Sequence, residues 1–320
     1  MHPGKFGNEV ESNMQKVIVT GAKGFIGQHV VQLLAERNIQ VYAIVRNNEN
    51  NMNYFQNYES VQTILCDIER IEELPQLIKD RNIDACIHLA WDGSFGPARA
   101  EYELQVKNVK LALDTVKVLS TMRVKRFVGA GSLAEKDVLN YNLKDGTTPN
   151  AVSLYGSAKL SAQLMTKIEC TKLGMEHIWC YISNTYGIGS TTNNFVMMAC
   201  KKMLRKEHAA FTLGEQMYDF VYITDTARAL CYATEKGKTN TSYYLGSGNP
   251  RKLKEYIRII RDSVDPATEL FLGEIPYNGI SLTKEEYDIS KLVIDTGYKE
   301  EISFEKGIRM TVDWLRRSIE

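Results

Sequence analysis

Three glycines at intervals of three, Gly21, Gly24 and Gly27, close a stretch that reads VIVTGAKGFIG from Val17 to Gly27. The chemistry such spacing serves is phosphate binding. Glycine tolerates positive φ and lets the backbone approach a ligand closely. A helix that starts there offers unpaired N–H groups and the positive end of its dipole to an anion. Farther along, Tyr155 and Lys159 stand four residues apart. On a helix that spacing puts a phenol and an ammonium on one face, within reach of a common ligand. The pattern YxxxK is common by itself, and an exposed pair on a helix would look the same. Its weight comes from order: the glycine turn, then Ser132 at the end of an apolar run, then this pair.

These residues need a scaffold, and the flanking pattern supplies one. Val17, Ile18 and Val19 are a β-branched run, as in a buried parallel strand. Ile26, Val30, Val31, Leu33 and Leu34 fit one face of a helix that extends through Gln28–Asn38. The spacing is GxxGxxG rather than the GxGxxG of the general dinucleotide fingerprint. A second strand is expected over Gln40–Arg46, a third over Val61–Asp67, a fourth over Ala85–Trp91 and a fifth over Arg126–Ser132. Loops at the carboxyl ends of such strands form the binding crevice, which places Ser132 there. The segment Glu101–Thr121 reads as a long helix, with Asn108 a polar residue on a largely apolar stretch.

The end of the second strand should face an adenosine ribose, where an acid would bond the 2′-hydroxyl. No Asp or Glu occurs between Arg37 and Asn48, and Arg46 stands at that end. A guanidinium fits a phosphate bidentately. Arg46 therefore reads as a clamp on a 2′-phosphate, so NADP(H) is the expected cofactor, with NAD(H) the lesser alternative. A solvated arginine at a strand end is the plainer reading. Asp67 fits two roles equally, acceptor for the adenine amino group or cap of the helix that follows. His88, inside the apolar fourth strand, reads as a core histidine, since no second metal-ligand type accompanies it. No metal site is expected.

Composition narrows the partners. The 320 residues are 44% apolar and 24% charged, with 39 Lys plus Arg balancing 39 Asp plus Glu. No block of like charge suggests nucleic acid or an anionic membrane. No apolar run is long enough to span a bilayer, and residues 1–13 read as a loose polar tail. Six scattered cysteines without CxxC spacing suit reduced thiols in a cytoplasmic protein.

Taken together, TGAKGFIG (Thr20–Gly27), HLA (His88–Ala90), Asn108, GS (Gly131–Ser132), YGSAK (Tyr155–Lys159), NTYGIG (Asn184–Gly189), DFVYITDTARA (Asp219–Ala229), YYLGSG (Tyr243–Gly248) and YDISK (Tyr287–Lys291) occur in a familiar order. The chain resembles an extended short-chain dehydrogenase/reductase of the NAD-dependent epimerase/dehydratase group, which acts mostly on nucleotide-linked sugars. The resemblance implies an α/β fold: a Rossmann-type, doubly wound parallel sheet with a smaller, discontinuous C-terminal α/β substrate domain. The first unit would comprise residues 14–183 and 218–249, the second 184–217 and 250–320. It implies Ser132, Tyr155 and Lys159 as the catalytic trio. It implies cofactor contacts at Gly21, Gly24, Phe25, Ile26, Gly27, Arg46, Asp67, Ile68, Leu89, Ala90, Asn108, Tyr155 and Lys159. Substrate contacts would fall on Trp91, Ser132, Asn184 and Tyr218. A homodimer through helices around 101–121 and 155–173 is also implied.

The departures concern the substrate. Three arginines that the group often uses on the diphosphate are absent: Tyr181 and Tyr218 hold two of those places, and Asn278 lies near the third. Lys201, Lys202 and Arg205 are the cations nearby in sequence. Dehydratases of the group carry an adjacent Asp–Glu after the active-site hydroxyl residue, whereas SLAEK has Glu135 alone. The chemistry expected is proton donation by Tyr155 to a carbonyl that accepts hydride. A lysine ammonium at ~4 Å, worth up to about 4 kcal/mol, would draw the phenol down from its usual ~10, and Ser132 would orient the carbonyl oxygen. The expected enzyme is an NADPH-dependent reductase of a nucleoside-diphosphate 4-keto-6-deoxy sugar. An epimerase that retains its cofactor is the first alternative, and a non-catalytic NADP-sensing regulator the second.

Overall fold

A computed structural model describes residues 14–48, 51–277 and 279–319; the expected tail 1–13 and Asn278 lie outside them. Six parallel strands alternate with helices through the first half: β1 Lys16–Thr20, β2 Gln40–Val45, β3 Val61–Leu65, β4 Ala85–His88, β5 Arg126–Ser132 and β6 Glu176–Ile182. Short strands follow, β7 Asn184–Tyr186, β8 Ala210–Phe211, β9 Met217–Tyr218 and β10 Phe220–Tyr222, before β11 Thr241–Leu245. The main sheet has the order β11-β6-β5-β4-β1-β2-β3, every pairing parallel. Strand order reverses between β1 and β4, so the crevice for a ligand opens at their carboxyl ends.

Alternation along the strands builds a core on each face. Val17 and Val19 point to one side, with Val30, Val31, Leu34, Val128 and Leu230. Ile18 points to the other, with Val116, Leu119, Phe127 and Trp179. The helices are α1 Phe25–Glu36, α2 Leu74–Leu77, α3 Tyr102–Thr121, α4 Ala134–Asp137, α5 Ser153–Lys172, α6 Phe195–Leu204, α7 Ile223–Lys236, α8 Leu253–Val264, α9 Ser290–Thr296 and α10 Phe304–Ile319. Helix α1 ends two residues earlier than its apolar pattern suggested, because Asn38 takes a left-handed φ of 56°. Strand β4 stops at His88, and Leu89–Trp91 turns into the crevice.

A third core joins α6, α8 and α10 around Tyr186, Phe220 and Tyr222. Two carboxylates of the DFVYITD stretch pin this unit to the sheet. Buried Asp219 accepts from the Tyr244 hydroxyl at 2.7 Å and the Ser247 N–H at 2.9 Å. Asp225 accepts from Arg228 Nη1 and the Ile302 N–H, both at 2.8 Å. Leu292 and Tyr298, on and just beyond α9, are buried in the same core as α1 and β1. That part of the stretch expected in the substrate unit thus packs on the nucleotide-binding side.

All six cysteines are buried. No helix among the described residues is long and apolar enough to cross a membrane.

Candidate active site

The glycine turn forms a cradle that side chains would fill. Gly21 has φ +65°, and a Cβ there would meet Ala90 N at 2.8 Å. A Cβ on Gly27 would overlap Gly21 O. Gly24 caps α1 without any side-chain bond, and no acid lies in the first turn. The first-turn N–H groups are left for an anion. Phe25 and Ile26 send their side chains into the hydrophobic clusters and offer the turn only their backbone.

From this cradle a cleft of about 540 Å³ runs along the strand ends, lined in part by Gly21, Gly24, Arg46, Ile68, Leu89, Ala90, Trp91 and Asn108. Asn108 donates to Asp92 O at 2.8 Å and accepts from Asp92 N–H at 3.2 Å, fixing the loop after β4. Of the two roles expected for Asp67, the helix cap is not made. The Asp67 carboxylate accepts from the Asn47 N–H at 2.9 Å.

Arg46 lines the cleft and pairs with Asp92 across it. Their side chains are 77% and 52% exposed, so the pair is of the weak surface kind. Lys23 is a cleft residue that sequence reasoning overlooked. Its ammonium donates to Asn51 Oδ1 at 2.6 Å, and Asn51 Nδ2 donates to Arg46 O at 3.0 Å. The signal was available: a cation inside the glycine turn, facing the end of the second strand.

Ser132 ends β5, and Tyr155 lies in the first turn of α5. A Cβ on Gly156 would overlap Ala134 O, so this glycine lets α5 approach the backbone beyond β5. The phenol of Tyr155 is hydrogen-bonded by Ser132. Burial pushes the phenol above its ordinary range, while the Ser132 hydroxyl and the Arg99 guanidinium pull the other way.

Lys159 has partners of its own. Its ammonium donates to Ala130 O at 2.7 Å and sits 3.8 Å from the Trp91 ring centre, but 6.0 Å from that of Tyr155. The nearer cation is Arg99, 4.6 Å from the Tyr155 ring centre. Burial pushes Lys159 down, and Glu135 opposes this. Glu135 is fully buried, accepting from Ser132 N–H at 2.6 Å and Trp179 Nε1 at 3.0 Å. It supports the strand end from below.

Trp91, expected at the substrate, lines the cleft beside Tyr155, with Nε1 donating to Gln105 Oε1 at 3.0 Å. Tyr218 stacks on Phe220 at 5.6 Å, and Asn184 donates to Asp219 O at 3.3 Å. His88 behaves as a core residue: Nδ1 is 2.9 Å from Thr20 Oγ1, and burial pushes its pKa down to about 3. Arg205 pairs with Glu207 and Lys201 bonds Asn193.

Known proteins resemble this chain in sequence and in fold. Residues 17–246 match the model of the NAD dependent epimerase/dehydratase family. A putative UDP-glucose 4-epimerase from Methanocaldococcus jannaschii is 27% identical, over 94% of this chain and 99% of its own. The CDP-abequose synthase of Salmonella muenchen is 24% identical, over 92% and 96%. The fold is similar to that of a UDP-glucuronic acid 4-epimerase from Bacillus cereus solved with NAD. That likeness has a TM-score of 0.74 and 20% identity, covering 96% of this chain and all (100%) of the other.

Proposed function

The chain belongs to the NAD-dependent epimerase/dehydratase family, and from that premise we propose that it is an NADPH-dependent reductase of a 4-keto sugar carried on a nucleoside diphosphate. The observation that carries the cofactor choice is the convergence of Lys23 and Arg46 at one end of the cleft, with no carboxylate on β2. A phosphate held by charge-assisted bonds outcompetes an exposed Asp92, whose pairing is worth at most about 1 kcal/mol. The glycine cradle and the first turn of α1 suit the pyrophosphate. Ile68, Leu89, Ala90 and Asn108 would wall the dinucleotide.

Bound reduced nicotinamide supplies hydride to the carbonyl carbon. The residues of this chain manage the proton. Tyr155 gives its phenolic proton to the carbonyl oxygen, and Ser132 bonds the same oxygen and orients it. Burial raises the phenol, which keeps the proton on Tyr155 until the oxygen becomes basic. Lys159, anchored at Ala130 O, holds Trp91 beside Tyr155 through ring contacts on both sides. The buried Glu135 fixes the backbone of Ser132 and leaves no adjacent Asp–Glu pair for dehydration.

Six buried cysteines without CxxC spacing suit the cytoplasm. The exposed apolar residues Val106 on α3 and Leu164 and Ile168 on α5 suit a homodimer through those helices.

The test is loss of reduced-nicotinamide absorbance across nucleoside-diphospho-4-keto sugars of different bases. Stoichiometric consumption of NADPH is expected. An epimerase with retained cofactor is the second reading, favoured by the relative named as a putative UDP-glucose 4-epimerase. Interconversion of non-keto sugar nucleotides without net change in the dinucleotide would replace the first reading by the second.

A further inference from the structure

Arg99 differs from the arginines of this protein that pair with acids. Arg37, Arg46, Arg126, Arg228 and Arg251 each face a carboxylate. Arg99 makes no ion pair within 4.0 Å among the described residues, and its Nε is buried without a hydrogen-bond partner. An Nε–H that has lost water and gained no acceptor carries a free-energy cost, and the residue as a whole is half-buried, its guanidinium facing no acid. The position is nonetheless built. Arg99 lies in the turn Pro97–Ala100, and the turn is tied down by Gln105, itself 1% exposed. Gln105 Nε2 donates at 3.0 Å both to Gly93 O and to Ala98 O. The turn thus holds the guanidinium 4.6 Å from the ring centre of Tyr155. The carboxylate of Asp137 is near enough to feel this charge but does not pair with it. A substrate oxygen bonded to the phenol would lie about 3 Å from it. Arg99 is therefore within roughly one sugar ring of the reacting carbon. The places where the resemblance would put arginines for a diphosphate hold Tyr181, whose hydroxyl bonds Gln163 at 2.9 Å, and Tyr218.

We propose that Arg99 is the anion-binding residue of the substrate site, its planar fork taking a phosphate or carboxylate of the substrate close to the carbon that reacts at Tyr155. The inference rests on the nucleotide-sugar reading and adds the group that holds the charge. Its place over the Tyr155 ring keeps the charge beside the reacting group.

Calorimetry tests it on the full chain saturated with NADP+. UDP, CDP, GDP and dTDP are titrated first, and a nucleotide that binds is compared as free diphosphate, glucose ester and glucuronic acid ester. Arg99→Gln should weaken binding by about tenfold or more, and Arg99→Lys by less. Unchanged NADP+ affinity in both variants reports an intact fold. An equal loss for all three forms places a phosphate on Arg99, and a loss confined to the glucuronic ester places the sugar carboxylate there. Binding of all three within about twofold of wild type in Arg99→Gln overturns the assignment. If wild type binds the dinucleotide and none of the four diphosphates, the nucleotide-sugar reading falls and takes the assignment with it.

Discussion

The two sides of Tyr155 are built differently. Toward the dinucleotide cleft, polar groups are engaged by the protein: Lys159 with Ala130, Trp91 with Gln105, Asn108 with Asp92, Glu135 with Ser132 and Trp179. Toward the second unit, Arg99 carries an unmade bond, and burial pushes Asp137 up to about 6. Satisfied groups hold geometry that the protein must keep whatever is bound. A cation that faces no acid beside the reacting phenol is where we place the charge of the substrate. Tyr155 stands on the border, its hydroxyl on Ser132 and its ring under Arg99.

The hardest blow to this comparison is Tyr155→Phe, which keeps the ring and removes the proton. Turnover should fall by about 10²–10⁴-fold, with dinucleotide affinity, read by fluorescence titration, unchanged. Retention of most of the activity would require another acid and remove Tyr155 from the border.

The sheet beneath the site can be probed through a histidine near the other end of its strands. His177 is stacked between Phe127 and Trp179, with Nε2 3.0 Å from Thr166 Oγ1. Burial pushes its pKa from 6.5 down to about 4. Between those values the unfolded chain binds a proton that the folded one does not, so stability falls as pH falls through that window. At about pH 5 the share is roughly 2 kcal/mol. In His177→Gln the stability lost between about pH 7.5 and about pH 5, measured by denaturant unfolding, should shrink by that amount. An unchanged pH dependence would mean that the ring titrates as freely folded as unfolded.

Cofactor choice sharpens the comparison, because Arg46 has a partner that a ligand must displace. Arg46→Ala should cost NADPH about tenfold in affinity and leave NADH nearly unchanged. Equal binding of the two dinucleotides by wild type would contradict the clamp. The smallest effect expected is a gain: Asp92→Asn releases Arg46 and should tighten NADPH binding by less than about 1 kcal/mol. A loss of NADPH affinity in that variant would show that Asp92 serves the ligand instead.

Local pattern made much of this legible. The apolar runs of β1, β2 and β5 and the amphipathic α1 stand in the sequence with little displacement, because burial of a parallel strand or a helix face is a short-range signal. The glycine turn, Ser132 and the Tyr155–Lys159 pair were readable by type and order. What escaped was set by chain segments distant in sequence. Lys159 and Tyr155 do share a face, yet the ammonium turns to Ala130 and Trp91, partners that helical spacing cannot reveal. Arg99 reaches Tyr155 only because Gln105 folds the intervening loop. Asp67 serves Asn47 across two strand ends, an arrangement no linear motif records. Leu292 and Tyr298 join the first core through tertiary packing alone.

Net reduction at Tyr155 can be followed by isotope transfer. The enzyme is given a nucleoside-diphospho-4-keto sugar and NADPH deuterated at the transferable position of the nicotinamide. The product should carry one deuterium on the former carbonyl carbon, with one NADP+ formed for each molecule reduced, and Tyr155→Phe should form neither. A sugar nucleotide converted to its epimer, without label from the added dinucleotide and without loss of NADPH, would contradict the account.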